Sequence, residues 1–156
     1  RLLAMLEKYC DSQIPQKSEA KELSNSLRAK VEFADESICA LDFQTGINSI
    51  MDFCKEVNGY VTANEPWVVA KDPAKKTELD AILYNTAESL RALAVLLHPV
   101  MPIATKKLWS SLGAKATLGE IENQVISKVA NWGQLAPGTR VTKGEILFPR
   151  LEEAEK

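Results

Sequence analysis

Apolar residues recur at steps of three and four along most of this chain, and the breaks between runs fall at proline, glycine and small polar clusters. Leu2, Leu3, Leu6 and Tyr9, with Met5 beside them, share one face of a first predicted helix, which stops at Asp11-Ser12 and Pro15. A second opens near Ser18 with Glu19 and Glu22 as first-turn acids, and carries Leu23, Leu27, Val31, Ala34, Ile38 and Leu41. Asp42 suits the N-cap of a third, where Phe43, Ile47, Ile50, Met51, Cys54, Val57 and Val61 form the stripe. Gly46 and Gly59 weaken that helix by up to ~1 kcal/mol each relative to alanine, which the stripe outweighs.

Asp72-Pro73 starts a long helix whose face is Leu79, Ile82, Leu83, Ala87, Leu90, Leu93, Ala94 and Leu97. Pro99 and Pro102 end it, and Pro102 opens a shorter helix, ATKKLWSSLG, closed by Gly113. Strand signals are nearly absent to this point. The expected fold is therefore all-α, an antiparallel helical bundle over residues 1–113. Beyond Gly113 the period fades and turns fall at Pro137-Gly138 and Lys143-Gly144. Residues 114–156 read as an extended C-terminal arm and tail packing back on the bundle, with Ile146, Leu147, Phe148 and Leu151 as an apolar latch and Glu152, Glu153 and Glu155 in a solvated end.

Composition adds limits. At 156 residues, 46% hydrophobic and 26% charged, the chain is long enough for a buried core and ordinary for a globular protein. A net charge of −2 removes a whole-molecule field for nucleic acid, so any such contact must be local. Cys10, Cys39 and Cys54 form no CxxC pair and are expected as reduced, buried thiols. One histidine and no close Cys/His cluster leave a metal site without support. No run approaches a membrane span. The start, RLLAMLEKY, has no cleavage-site pattern, lacks an initiator Met and begins mid-pattern, so a piece of a longer protein is expected.

No catalytic constellation can be assembled. There is no glycine-rich phosphate loop, and His98, just before Pro99, suits a helix C-terminus better than a nucleophilic triad. Trp109 reads as a core plug, and Trp132 as a pin for the C-terminal arm. Trp67 is different. It follows Asn64-Glu65-Pro66 at a helix entrance, and proline at the first helical position makes that corner stiff. A ring there is either wedged into the core or offered as a flat stacking surface. Position alone leaves both open, with packing the commoner outcome.

Three segments decide between them: NGYVTANEPWVVAK, then LYNTAESLRALAVLLHPVMPIATKKLWSSLG, then ILFPRLE. Together they resemble the C-terminal anticodon-binding domain of methionyl-tRNA synthetase, a class I aminoacyl-tRNA synthetase, over essentially the whole chain. The LLHPVMP block and the helix ending in LW are shared with the leucyl, isoleucyl and valyl enzymes. The spacing N-x-Y-x(5)-P-W-x-x-A-K, here Asn58, Tyr60, Pro66, Trp67, Ala70 and Lys71, is particular to the methionyl branch, as is Leu147-Phe148-Pro149-Arg150.

The resemblance implies an α-helical domain that reads the CAU anticodon of tRNA(Met). It implies that Trp67 stacks beneath an anticodon base, and that Arg1 matches the arginine of an N-x-x-x-R signature whose asparagine would lie upstream. Stacking contributes about 1–3 kcal/mol per base and needs a rigidly held ring. Arg1 could hydrogen-bond a base edge or a phosphate bidentately. The full-length parent would ligate methionine to tRNA(Met) with ATP and Mg in a separate catalytic domain. Neither HIGH-like nor KMSKS-like signatures occur here, so no catalytic residue and no cofactor are expected in this chain. The lysine pairs Lys75-Lys76 and Lys106-Lys107 read as solvated faces. The expected partners are the tRNA(Met) anticodon loop and the catalytic domain of the same parent, without a membrane, in the cytoplasm or alternatively an organelle. The competing readings are a non-catalytic helical interaction module with Trp67 buried, and the equivalent domain of a sister leucyl, isoleucyl or valyl synthetase.

Overall fold

The computed structural model describes residues 1–144 and 147–148. Eight α-helices follow one another among them: α1 (Leu2–Tyr9), α2 (Lys21–Cys39), α3 (Phe43–Asn64), α4 (Pro66–Val69), α5 (Lys76–Leu97), α6 (Pro102–Ser111), α7 (Ala114–Leu118) and α8 (Ile126–Val129). The only strand-like pairing among the described residues is an isolated antiparallel bridge between Gln13 and Arg140. The chain is an all-α helical bundle.

α5 is its axis. α3, α4, α1, α6 and α8 all pack on it, and from Ile82 to Leu96 every residue but Leu90 is buried. A helix buried on nearly every side has to satisfy its polar groups internally. It does so here: Thr86 and Ser89 donate to the carbonyls of Ile82 and Asn85, and the Tyr84 hydroxyl donates to the Leu135 carbonyl at 3.1 Å. Burial and the nearby Glu88 charge push the Tyr84 pKa up.

α2 and α3 form a hairpin. Its contact line shares Ile50 and Val57 with the predicted stripe but is rotated from the rest of it. The buried positions on α3 are Gly46, Ser49, Ile50, Phe53 and Val57, whereas Phe43 and Met51 are 55% and 41% exposed. Gly46 explains the rotation. Its backbone lies against α2, where an added Cβ would sit 2.8 Å from the Ile38 side chain and 3.2 Å from the Ala34 carbonyl. The closest approach therefore falls on residue 46, and the line continues at steps of three and four from there. Leu41 lies past the end of α2 at φ 64°, and is 75% exposed rather than in the core. Asp42 caps α3 as expected, accepting from the Thr45 N–H at 3.1 Å.

Past Gly113 the chain is less extended than its pattern suggests, since α7 and α8 interrupt it. Its residues 129–141 are tied down. Val129, Leu135 and Val141 are buried, and the Trp132 indole donates to the Ser18 carbonyl at 3.0 Å. Backbone bonds run from Ile14 to Thr139 and from Val141 to Ser12, both 2.9 Å. Of the expected apolar latch, Ile146 and Leu151 lie outside the described residues, and Phe148 is 66% exposed. The expected buried thiols are also corrected: Cys39, the last residue of α2, is exposed, and Cys10, just past the end of α1, and Cys54 are only partly covered.

Candidate nucleic-acid interface

Trp67 is exposed because of the four residues around it. α3 ends at Glu65, which takes a left-handed conformation (φ 39°, ψ 60°) while its N–H still bonds the Val61 carbonyl at 3.1 Å. That reversal sends Pro66 into the first position of α4. Pro66 and Val69, three apart, face the core and are buried. Trp67 and Val68 must then face outward, and they are 42% and 45% exposed. The ring is held by an anchored turn without being covered by it.

Trp67 forms one wall of an open cleft of about 590 Å³, within the roughly 300–1,000 Å³ of ligand sites. α1 supplies the exposed Arg1 with Leu2 and Met5, α3 supplies Val57, Asn58, Val61 and Thr62, and α5 closes the floor with Thr86 and Leu90. The two residues singled out in the sequence, 66 positions apart, thus line the same cavity. A second groove, of about 500 Å³ between α2 and α3, carries the exposed Phe33 with Lys30 and Asp52, the latter paired with Lys55 at 2.7 Å.

A family model described as the anticodon-binding domain of tRNA ligase matches residues 20–138. The chain belongs to this family. It is 48% identical to the methionine–tRNA ligase of Streptomyces coelicolor over 98% of its own length and 30% of that protein. It is 35% identical to the Bacillus subtilis enzyme over 100% of itself and 24% of the relative. Among solved structures, the apo methionyl-tRNA synthetase of Mycobacterium tuberculosis superposes with a TM-score of 0.81 at 26% identity, covering 99% of this chain and 31% of that one. The chain thus spans less than a third of these relatives.

Within this anticodon-binding domain, the residues of the methionyl-type spacing divide physically. Tyr60 is structural: its hydroxyl accepts from Asn85 Nδ2 at 3.3 Å, and burial raises its pKa. Asn85 Oδ1 in turn accepts from the Ala20 N–H at 3.2 Å, joining α3, α5 and the entrance to α2. Pro66 anchors the corner, and Ala70 packs against the core. Asn58, Trp67 and Lys71 remain exposed.

The other sequence candidates have structural occupations. Trp109 is 2% exposed, and its indole donates to the Gly119 carbonyl at 2.9 Å. Thr105 donates to the Met101 carbonyl, leaving its oxygen to accept from His98 Nδ1 at 2.8 Å, so His98 braces the α5–α6 turn. Lys76 and Lys106 pair with Asp80 and Glu122. The domain also holds a feature absent from the sequence reading, the buried pair Glu88–Arg91. A glutamate and an arginine three apart inside an otherwise apolar helical run were the available signal. No helix of the described residues is long and apolar enough to cross a membrane.

Proposed function

We propose that this domain binds the anticodon loop of a tRNA, that the tRNA is tRNA(Met) with its CAU anticodon, and that Trp67 stacks on an anticodon base while Arg1 contacts a base edge or phosphate. The observation that carries this reading is the exposed, rigidly cornered Trp67 sharing a cleft with Arg1. Single-stranded loops are the RNA elements whose splayed bases proteins read by stacking and edge contacts. A cleft with one aromatic wall and one cationic rim suits an unpaired base better than a duplex.

The domain would serve a parent that ligates methionine to tRNA(Met), in the cytoplasm, beside a catalytic domain on the same chain. The ATP and magnesium of that reaction would be bound by that catalytic domain; among the described residues here no group of three or more His, Cys, Asp or Glu could hold a metal ion.

The test is a titration of the chain with a stem-loop RNA bearing CAU and with loops altered at each anticodon position. Tighter binding of the CAU loop, with quenching of tryptophan fluorescence that Trp67→Ala abolishes, is expected. Equal affinity for all loops would overturn the reading.

A further inference from the structure

Four side chains in the cleft can hydrogen-bond through oxygen or amide nitrogen atoms or a guanidinium, and they are not equally available. Thr62 Oγ1 donates its proton to the Asn58 carbonyl at 2.9 Å, and Thr86 Oγ1 donates to the Ile82 carbonyl at 2.8 Å. Both hydroxyl protons are spent on the helices that carry them. Thr86 is also only 5% exposed, at the floor. Arg1 is exposed and offers donors only, as does the indole N–H of Trp67. Asn58 is exposed on α3, and its carboxamide bonds no described residue. It places an amide oxygen and an amide N–H₂ side by side, whereas Thr62 Oγ1, its proton spent, can only accept, and Arg1 and the indole can only donate.

We propose that Asn58 is a base-reading residue of this cleft, pairing its carboxamide with the edge of adenine or cytosine that carries an exocyclic amino group beside a ring nitrogen. This rests on the reading of the cleft as the anticodon site. An exocyclic amino group must donate, so neither Arg1 nor the indole can recognise it, and Thr62 Oγ1, which could accept from it, has no proton left for the adjacent ring nitrogen. The Asn58 oxygen accepts from that amino group while its N–H₂ donates to the adjacent ring nitrogen, the bidentate match that carboxamides make with such edges. Arg1 is complementary, since a guanidinium suits acceptor pairs or a phosphate. The apolar floor of Val57 and Leu90 keeps bulk water from one side of the base, which strengthens a correct pairing and penalises a mismatched one.

The experiment compares wild type, Asn58→Ala and Trp67→Ala in equilibrium binding to the CAU stem-loop and to three loops with one anticodon base replaced each. Asn58→Ala is expected to weaken the CAU loop about tenfold while leaving unchanged the affinity for the one loop already altered at the base Asn58 reads, and that base should be the C or the A. Thermal melting should be unaltered, because the side chain makes no intramolecular bond. Equal weakening of all four loops, or no weakening of any, would overturn the assignment. If Trp67→Ala loses affinity and Asn58→Ala does not, the role of Asn58 alone fails. If both variants bind all loops as wild type does, the cleft is not the RNA site and the anticodon reading fails with it.

Discussion

Glu88 and Arg91 meet at 2.8 Å inside the bundle, one turn apart on α5, with side chains 0% and 2% exposed. Neither is paired only with the other. The Glu88 carboxylate accepts from the backbone N–H groups of Gly133, Gln134 and Leu135, each at 3.0 Å. Arg91 Nη2 donates to the carbonyls of Val129 at 3.0 Å and Asn131 at 3.2 Å. The pair clamps the loop after α8 onto the central helix by reading its backbone, a task an apolar latch could not perform. Removing one member of a buried pair costs about 3–5 kcal/mol because it strands the other charge. Glu88→Ala should fall at the upper end, since three N–H groups lose their acceptor as well. Urea denaturation of both single variants and the double variant would check this, and additive losses would show that the two residues do not act as a unit.

Trp109 and Trp67 should behave oppositely. Trp109→Ala removes a buried ring and a hydrogen bond to Gly119, and should cost about 3–5 kcal/mol of stability. Trp67→Ala, at a partly exposed corner, should cost less than about 1 kcal/mol while abolishing the fluorescence response to the CAU loop. Thermal melting of the two variants separates the roles; a Trp67→Ala loss as large as that of Trp109→Ala would make Trp67 a packing residue.

Glycine is required at two positions for different reasons. Gly113 takes φ 69°, and an added Cβ would collide with the Arg140 carbonyl and the Thr139 methyl. Gly113→Ala should therefore destabilise by about 2–4 kcal/mol, combining backbone strain with overpacking. Gly46→Ala gains up to ~1 kcal/mol of helix propensity but drives the α2–α3 contact apart. Its Cβ meets the flexible Ile38 side chain first, so the net loss should be smaller, about 1 kcal/mol. Chemical denaturation ranks the two.

Stability should fall on the alkaline side. Burial pushes the Cys10 thiol from 9.0 to about 11, opposed by the Lys76 charge and assisted by its hydrogen bond to Asp80 at 3.4 Å. Tyr84 is also pushed up from 10.0 by burial and by Glu88. The folded state holds both protons more tightly than the unfolded chain, so this contribution is complete below about pH 9 and is lost as pH rises through 9 to 11 and beyond. Melting curves from pH 7 to 11 should show a steeper alkaline decline for wild type than for Cys10→Ala with Tyr84→Phe.

The helices up to Gly113 were legible because local spacing specifies a helix and its ends, whereas the short α7 and α8 beyond it were not. The Asp42 cap, the Pro66 and Pro102 entrances and the Gly113 exit all act within one or two turns of themselves. Which face of α3 is buried was only partly legible. The predicted stripe held Ile50 and Val57, which are buried, but also Phe43 and Met51, which are not, and missed Gly46, Ser49 and Phe53, where α2 approaches.

The same division holds for the cleft. From the sequence alone came a helical bundle with an extended arm and a stiff corner before Trp67, and from its family resemblance the implied roles of Trp67 and Arg1. Tertiary structure decided what lies opposite that ring, because α1, α3 and α5 must pack together before Arg1, Asn58 and Trp67 can line one cavity. It also decided that the ring faces out, since Pro66 and Val69 can be anchored only once there is a core to receive them. Periodicity records which side of a helix avoids water; which neighbour covers that side is a property of the assembled bundle.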